Sequence, residues 1–167
     1  MTNKINQSHP KLALGTVQFG LNYGIANQAG QVSQLEANKI VQLAMDSGID
    51  TLDTAIGYGN SEQCLGYIGV EKLNVISKLP SLPHDISDVD IWVKEQLHDS
   101  LRRLNTPKIY ALLLHKPMDL IGGNGQALYR ALLSLKEQGL VEKIGISVYS
   151  PHELNELIPI FSKNLIV

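Results

Sequence analysis

The sequence predicts an α/β fold, a partial (β/α)8 TIM barrel of about five to six βα units that lacks the C-terminal strands. Short apolar runs alternate with longer amphipathic runs, the pattern of parallel strands joined by crossover helices. Polar residues follow the apolar runs, where a barrel strand delivers side chains to its catalytic rim. The chain has 167 residues, whereas a complete barrel of this type needs about 250.

Composition favours a folded protein that binds a small molecule. The hydrophobic content is 44% and the formal net charge is −2, so there is no basic patch for nucleic acid. No apolar run approaches the ~20 residues that cross a membrane. Residues 1–10 are predicted as a polar tail without a signal sequence, and residues 11–167 as one domain. We therefore expect a cytoplasmic protein with no nucleic-acid or membrane partner, of unknown oligomeric state.

The first βα unit is marked by a short strand and a well-capped helix. The strand is predicted at about 12–14 and leads to Thr16. The helix begins at Ser33, where Glu36 three positions later completes a capping box, and Gly48 ends it.

The next two units have clear strands and one long helix. Strands are predicted at 50–53 and 73–77, and a helix at 87–104 carries an apolar stripe. A short helix starts near Ser61, whose hydroxyl is predicted to accept a hydrogen bond from the free amides of the first turn.

The last units follow the same alternation. The remaining strands are predicted at 109–114, 143–147 and 164–167. A helix at 126–138 buries leucines and alanines on one face. The final helix has Pro151 at its first position and a capping box formed by Ser150 and Glu153, and it is predicted to end before Pro159.

Four side chains at or just beyond strand ends suit the reduction of a carbonyl: Asp53, Tyr58, Lys78 and His115. Such a reaction needs a positioned acid beside the developing alkoxide. Tyr58 can serve if the Lys78 ammonium lowers its pKa, and Asp53 would keep that ammonium charged and in place. His115 can donate a hydrogen bond that orients the carbonyl.

Each of these residues also has an ordinary structural interpretation. Asp53 alone would be a turn former, Tyr58 a loop anchor and Lys78 a solvated strand end. The four in order at strand ends favour a shared site. No metal site is predicted, since the other histidines lack metal-ligand spacing. Arg102 and Arg103 are predicted on a solvated helix face.

Several segments together resemble the N-terminal part of the aldo/keto reductase family. They are Gly15-Thr16, Asp53-Thr54-Ala55, Tyr58-Gly59-Asn60-Ser61-Glu62, Lys78, Ser100 to Leu104, Leu112 to His115, and Lys143 to Ser147. The resemblance implies reduction of an aldehyde or ketone to an alcohol, with NADP(H) or NAD(H) as cofactor. It implies Tyr58 as general acid, Lys78 and Asp53 as the residues that tune it, and His115 as the orienting group.

The resemblance also implies cofactor contacts and a kind of substrate. Thr16, Asp53 and Ser147 match positions that touch the nicotinamide end of the cofactor. The opening segment from Gly15 to Gly24 is most similar to bacterial members that accompany surface-sugar biosynthesis. The expected substrate is therefore a small carbonyl compound, with a sugar-derived one as a candidate.

The chain departs from the family pattern at two places. Val148 stands where the family commonly has an asparagine that helps hold the carboxamide. The chain also stops before strands six to eight, whose loops grip the cofactor in the family. We therefore expect a truncated chain, with two open hypotheses: a reductase, or a non-catalytic remnant or interaction module that keeps the partial barrel.

Overall fold

The computed structural model describes residues 12–161 and 165–166, and it shows an α/β fold built on one sheet. The strands are β1 (Leu14–Gly15), β2 (Thr51–Asp53), β3 (Asn74–Leu79), β4 (Ile109–Leu114), β5 (Val141–Ile146) and β6 (Leu165–Ile166). The helices are α1 (Val17–Gly20), α2 (Gln34–Asp46), α3 (Ser61–Ile68), α4 (Val89–Leu104), α5 (Gly125–Glu137) and α6 (Pro151–Phe161), with a 3-10 helix at Pro117–Leu120.

The sheet follows the chain. Its strand order is β1-β2-β3-β4-β5-β6, and every neighbouring pair is parallel. This arrangement confirms the predicted partial (β/α)8 barrel. The polar tail predicted at 1–10 lies outside the described residues. Of the strand predicted at 164–167, only 165 and 166 are described, and they form β6.

The main core lies between the sheet and its helices. Strand and helix residues that are at most 2% exposed fill it, among them Val75, Leu79, Leu112, Ile144, Ile146, Leu97, Leu104, Leu132 and Leu135. Side chains alternate between the two faces of a strand. The opposite face of each strand is therefore free to carry the polar residues considered below. No helix within the described residues is long and apolar enough to cross a membrane.

The predicted caps at two helices are confirmed. Ser33 Oγ accepts a hydrogen bond from Glu36 N at 3.3 Å before α2. Before α6, Ser150 Oγ accepts from Glu153 N at 3.4 Å, and Glu153 Oε2 accepts from Ser150 N at 3.2 Å. These local patterns therefore set the helix starts, because they satisfy amides that the helix itself leaves free.

Two local predictions are wrong. Helix α6 continues through Pro159 to Phe161; the proline removes only one helical hydrogen bond, and it lies within the last turn. Ser61 does not cap α3, since Asn60 is the N-cap residue and makes no side-chain cap. The Ser61 hydroxyl instead donates to Thr16 O at 2.9 Å.

Candidate active site

The C-terminal edge of the sheet collects the polar side chains singled out in the sequence. Asp53 ends β2, Lys78 is the penultimate residue of β3, and His115 and Ser147 directly follow β4 and β5. The backbone amides of His115 and Ser147 donate to the preceding strand at 3.1 and 3.0 Å, which extends the strand register. This edge is the one that carries active sites in (β/α)8 barrels.

Lys78 is a buried cation with a carboxylate partner. Its side chain is 6% exposed, and its Nζ lies 2.6 Å from Asp53 Oδ1. Nζ also donates to Thr54 O at 3.0 Å. The Asp53 side chain is 36% exposed, so the carboxylate faces solvent while the ammonium is enclosed. A buried ammonium needs such partners, because burial without them strongly favours the neutral form.

Tyr58 lies against both Lys78 and His115. Lys78 Nζ is 5.2 Å from the centroid of the Tyr58 ring, within the range of a cation-π contact. The Tyr58 and His115 rings are 5.8 Å apart at 79°, an edge-to-face arrangement. The structure therefore brings Asp53, Tyr58, Lys78 and His115 together around one small volume.

Two glycines allow the Tyr58 loop to approach α1. A Cβ on Gly20 would lie 1.7 Å from Tyr58 O. Gly59 has φ of +56°, and a Cβ there would lie 2.4 Å from Gly20 O. Any side chain at Gly20 must push the Tyr58 backbone away, because the obstructing atom belongs to the main chain. This close contact holds the loop over the sheet edge.

The expected acidification of Tyr58 is wrong for the structure described here. Burial raises the pKa of the Tyr58 phenol, and the negative charge of Asp53 raises it further. The neighbouring Tyr149 and Tyr23 act in the same direction. The Asp53 carboxylate that fixes Lys78 therefore also opposes ionisation of the phenol. Tyr58 keeps its proton at neutral pH.

His115 is electrically neutral at neutral pH. Burial lowers the pKa of its imidazole, and the Lys78 charge lowers it further, while Asp53 acts in the opposite direction. A neutral imidazole still has one N–H to donate. The site thus presents two neutral donors, the Tyr58 phenol and the His115 ring, beside the ion pair of Lys78 and Asp53.

Thr16 lies beneath the site. It is fully buried at 0% exposure, and its Oγ1 donates to Asp53 O at 3.0 Å. Its amide also donates to Asp53 O at 2.9 Å. Thr16 therefore holds the Asp53 backbone from below. The cofactor contact of this residue stays a prediction.

Ser147 and the space beside Asp53 are the accessible parts of the predicted cofactor site. Ser147 is half-buried after β5. Gly15 pairs with Asp53 across β1 and β2, and a Cβ on Gly15 would meet no atom within 4 Å. The Asp53 carboxylate beside this space and the Ser147 hydroxyl beyond β5 stay predicted contacts of the nicotinamide end of the cofactor. Val148 packs its side chain against the apolar core, so it supplies no polar contact.

Sequence reasoning missed a second buried charge behind the site. Glu62 is 1% exposed, and its Oε1 accepts from Ser77 Oγ at 2.7 Å and from Ser100 Oγ at 2.6 Å. Arg103 Nε donates to Glu62 Oε2 at 2.8 Å. Arg103 Nη2 lies 2.6 Å from the same oxygen, outside hydrogen-bond geometry, so this contact is ionic.

This cluster corrects the prediction for Arg103. The Arg103 side chain is 22% exposed and ion-paired, whereas that of Arg102 is 78% exposed, as predicted for a solvated face. One signal was present in the sequence: Ser100 falls within the apolar stripe of α4, between Leu97 and Leu104. A polar residue on a buried helix face indicates a buried partner.

No group of three or more histidine, cysteine, aspartate or glutamate side chains could hold a metal ion in residues 12–161 and 165–166. Cys64 is buried at 3% exposure within the core. Burial raises the pKa of its thiol, so the thiolate is disfavoured. Cys64 is therefore a packing residue.

Comparison with known proteins agrees with the fold. The sequence model of the Aldo/keto reductase family matches residues 11–164. The methylglyoxal reductase of Escherichia coli strain K12 is 30% identical in an alignment of 153 residues that covers 89% of this chain and 52% of that protein. The 6-dehydroglucose reductase of Novosphingobium aromaticivorans is 30% identical over 166 residues, again with 89% and 52% covered.

A solved structure shows the same fold. The aldo-keto reductase of Klebsiella pneumoniae in complex with NADPH matches with a TM-score of 0.63 and 20% sequence identity. The match covers 88% of this chain and 48% of that one. The chain spans about half the length of the curated relatives it matches.

Proposed function

The chain belongs to the aldo/keto reductase family, and we propose that it reduces the carbonyl of a small aldehyde or ketone to an alcohol, with NADP(H) or NAD(H) as cofactor. One observation carries the proposal. Lys78 Nζ lies 2.6 Å from Asp53 Oδ1 and 5.2 Å from the Tyr58 ring centroid, and that ring lies 5.8 Å from the His115 ring. When bound, the cofactor supplies the hydride that the carbonyl carbon accepts.

Tyr58 is the proton donor in this proposal. Its raised pKa keeps the phenol protonated, so a proton is available as negative charge develops on the carbonyl oxygen. His115 donates its ring N–H to the same oxygen and so orients the carbonyl. The neutral form of His115 suits this role, because it leaves the transferable proton on Tyr58 alone.

Lys78 acts when the proton leaves. The ammonium beside the Tyr58 ring stabilises the phenolate that remains after proton transfer. Asp53 holds the ammonium charged and in position. Lys78 therefore favours loss of the Tyr58 proton in the transition state, although the pKa of the resting phenol is raised.

The proposed residues of the cofactor site are Thr16, Asp53 and Ser147. The half-buried Ser147 hydroxyl and the partly exposed Asp53 carboxylate support direct contacts with the carboxamide of the nicotinamide. Thr16 acts by holding the Asp53 backbone. Ser147→Ala should weaken NADPH binding, whereas Ser134→Ala on α5 serves as the matched control.

The proposed substrate is a small carbonyl compound, and a sugar-derived one is the candidate to test first. Methylglyoxal and a dehydro sugar appear in the names of the two relatives described above. The rim tyrosines Tyr23 and Tyr149 are 59% and 83% exposed. Exposed aromatic rings offer apolar faces to a substrate, which supports this choice.

Location and length complete the proposal. We propose that the protein is cytoplasmic. Fractionation of cells that express a tagged chain would test this location. That the chain is truncated stays a prediction. Sequencing the gene past the codon for Val167 tests it, because an in-frame continuation with further βα units would account for the rest of the relatives' length.

The deciding experiment is a titration followed by an assay. The purified chain is titrated with NADPH, then NADH, while nicotinamide fluorescence is recorded, and carbonyl-dependent loss of nicotinamide absorbance is measured with methylglyoxal and with sugar aldehydes. Saturable binding and carbonyl-dependent oxidation are the expected results. Absence of both would contradict the proposal and favour the non-catalytic alternative.

A further inference from the structure

The carboxylate of Glu62 lies directly behind the proposed site. It is 1% exposed, and a carboxylate is almost never so buried unless it is paired. Ser77, Ser100 and Arg103 surround it, so β3 and α4 both bind to the first turn of α3 through one side chain. The reductase mechanism proposed above does not use this group.

The bond from Ser77 reaches the strand at the residue next to Lys78. Neighbouring side chains in a strand point to opposite faces. Ser77 is 0% exposed and faces Glu62, whereas Lys78 faces Asp53 on the other side of β3. The hydrogen bond of 2.7 Å therefore fixes the backbone of β3 from behind, at the point where Lys78 leaves it.

The same helix turn holds the Tyr58 loop. Ser61 N donates to Tyr58 O at 3.0 Å. Ser61 Oγ lies 3.1 Å from Thr54 Oγ1 and 3.0 Å from Thr16 Oγ1, and all three residues are 0% exposed. Ser61 thus ties this turn to the ends of β1 and β2, and the adjacent Glu62 ties it to β3.

We propose that Glu62 is a positioning residue, which acts through Ser77 to fix the Lys78 ammonium relative to Tyr58 and His115. The inference rests on the proposed function, because it assigns Glu62 a part in arranging the reductase site. A merely structural ion pair would stabilise the fold without any special relation to Lys78.

Ser77 and Ser100 provide a matched pair that separates these two roles. Both are fully buried serines, and both donate to Glu62 Oε1, at 2.7 and 2.6 Å. Ser77→Ala and Ser100→Ala each remove one hydrogen bond to the same atom. Only Ser77 adjoins Lys78. We expect both variants to lower the midpoint of urea unfolding by similar amounts.

The decisive readout is the titration of His115, followed by NMR of its imidazole and assigned with His115→Asn. The Lys78 charge lowers the pKa of His115, so displacement of Lys78 should raise it. We expect the pKa of His115 to rise in Ser77→Ala and in Glu62→Gln, and not to change in Ser100→Ala. Equal shifts in both serine variants, or none in Ser77→Ala, would overturn the proposal.

The titration needs no catalysis, so it also separates this inference from the proposed function. If the chain reduces a carbonyl, Ser77→Ala should lower kcat with little change in KM, and Ser100→Ala should alter neither. If it reduces none, the proposed function fails while the His115 shifts still decide whether Glu62 positions Lys78. The serine pair gives this answer even if Glu62→Gln does not fold.

Discussion

Lys78 and Asp53 form an ion pair of 2.6 Å in which the lysine side chain is 6% exposed and the aspartate 36% exposed. Asp90 and Lys94 on α4 form a pair of the same length, 2.6 Å, but both are exposed, at 50% and 38%. The two pairs therefore differ in burial and not in distance, which makes one a control for the other.

Asp53→Asn should destabilise the fold by about 2 kcal/mol, because it leaves a buried ammonium without its charge partner. Lys78→Met removes that ammonium and should be less harmful. Asp90→Asn should cost no more than about 1 kcal/mol, since exposed pairs contribute little. Urea unfolding of the three variants measures these differences. Equal losses of unfolding free energy in Asp53→Asn and Asp90→Asn would contradict the burial of Lys78.

The pH dependence of stability should reveal His115. Its pKa is lowered in the folded chain, whereas an unfolded histidine titrates near 6.5. Its contribution is fully present above about pH 6.5 and is lost as the pH falls through the lowered pKa. The difference in unfolding free energy between the wild type and His115→Asn should therefore decrease from about pH 7.5 to about pH 5. If the difference in unfolding free energy did not change with pH, the pKa of His115 would not be lowered in the folded chain.

The Tyr58 phenol should titrate above the usual value of about 10, because burial and Asp53 both disfavour the phenolate. NMR of 13C-labelled tyrosine, assigned with Tyr58→Phe, measures this directly. In an active enzyme, the rate should not decline on the alkaline side before that pKa is reached. A midpoint well below 10 would restore the acidified phenol that the sequence predicts.

Gly20→Ala should displace the Tyr58 loop, because its Cβ would lie 1.7 Å from Tyr58 O. We expect a loss of about 1–3 kcal/mol of stability, as for other overpacked sites, together with slower carbonyl reduction. Gly57→Ala, in the same loop, is the control, since its Cβ would meet nothing within 4 Å. Similar stability in the two variants would contradict the close contact.

The sequence predicted those parts of the fold that depend on local patterns. Strand β4 occupies the predicted residues 109–114, because a short run that is apolar on both faces suits a strand that is covered on both sides. The Ser33 cap before α2 and the capping box before α6 also join partners only three residues apart. The end of α6 was predicted too early, because a proline in the last turn breaks only one helical bond.

The four site residues Asp53, Tyr58, Lys78 and His115 were predictable because each lies at a strand end or in the segment just beyond one. The partners of Glu62 were not predictable, since Arg103 lies 41 residues away in sequence and no local pattern joins the two; Ser100 within the apolar stripe of α4 indicated only that a buried polar partner exists. The sequence predicted that the pKa of Tyr58 is lowered, and this prediction was wrong for a related reason. Charged neighbours can be inferred from the sequence. Burial, which is the largest cause of the raised Tyr58 pKa, depends on the packed structure.

The most direct test of the central claim is the rate of carbonyl-dependent NADPH oxidation by Tyr58→Phe, measured beside its affinity for NADPH. Removal of the phenolic proton should lower the rate by about 100-fold or more, as for other general acids, while NADPH binding stays within about twofold. Turnover equal to that of the wild type would contradict the account, because the four convergent side chains would then not include the proton donor.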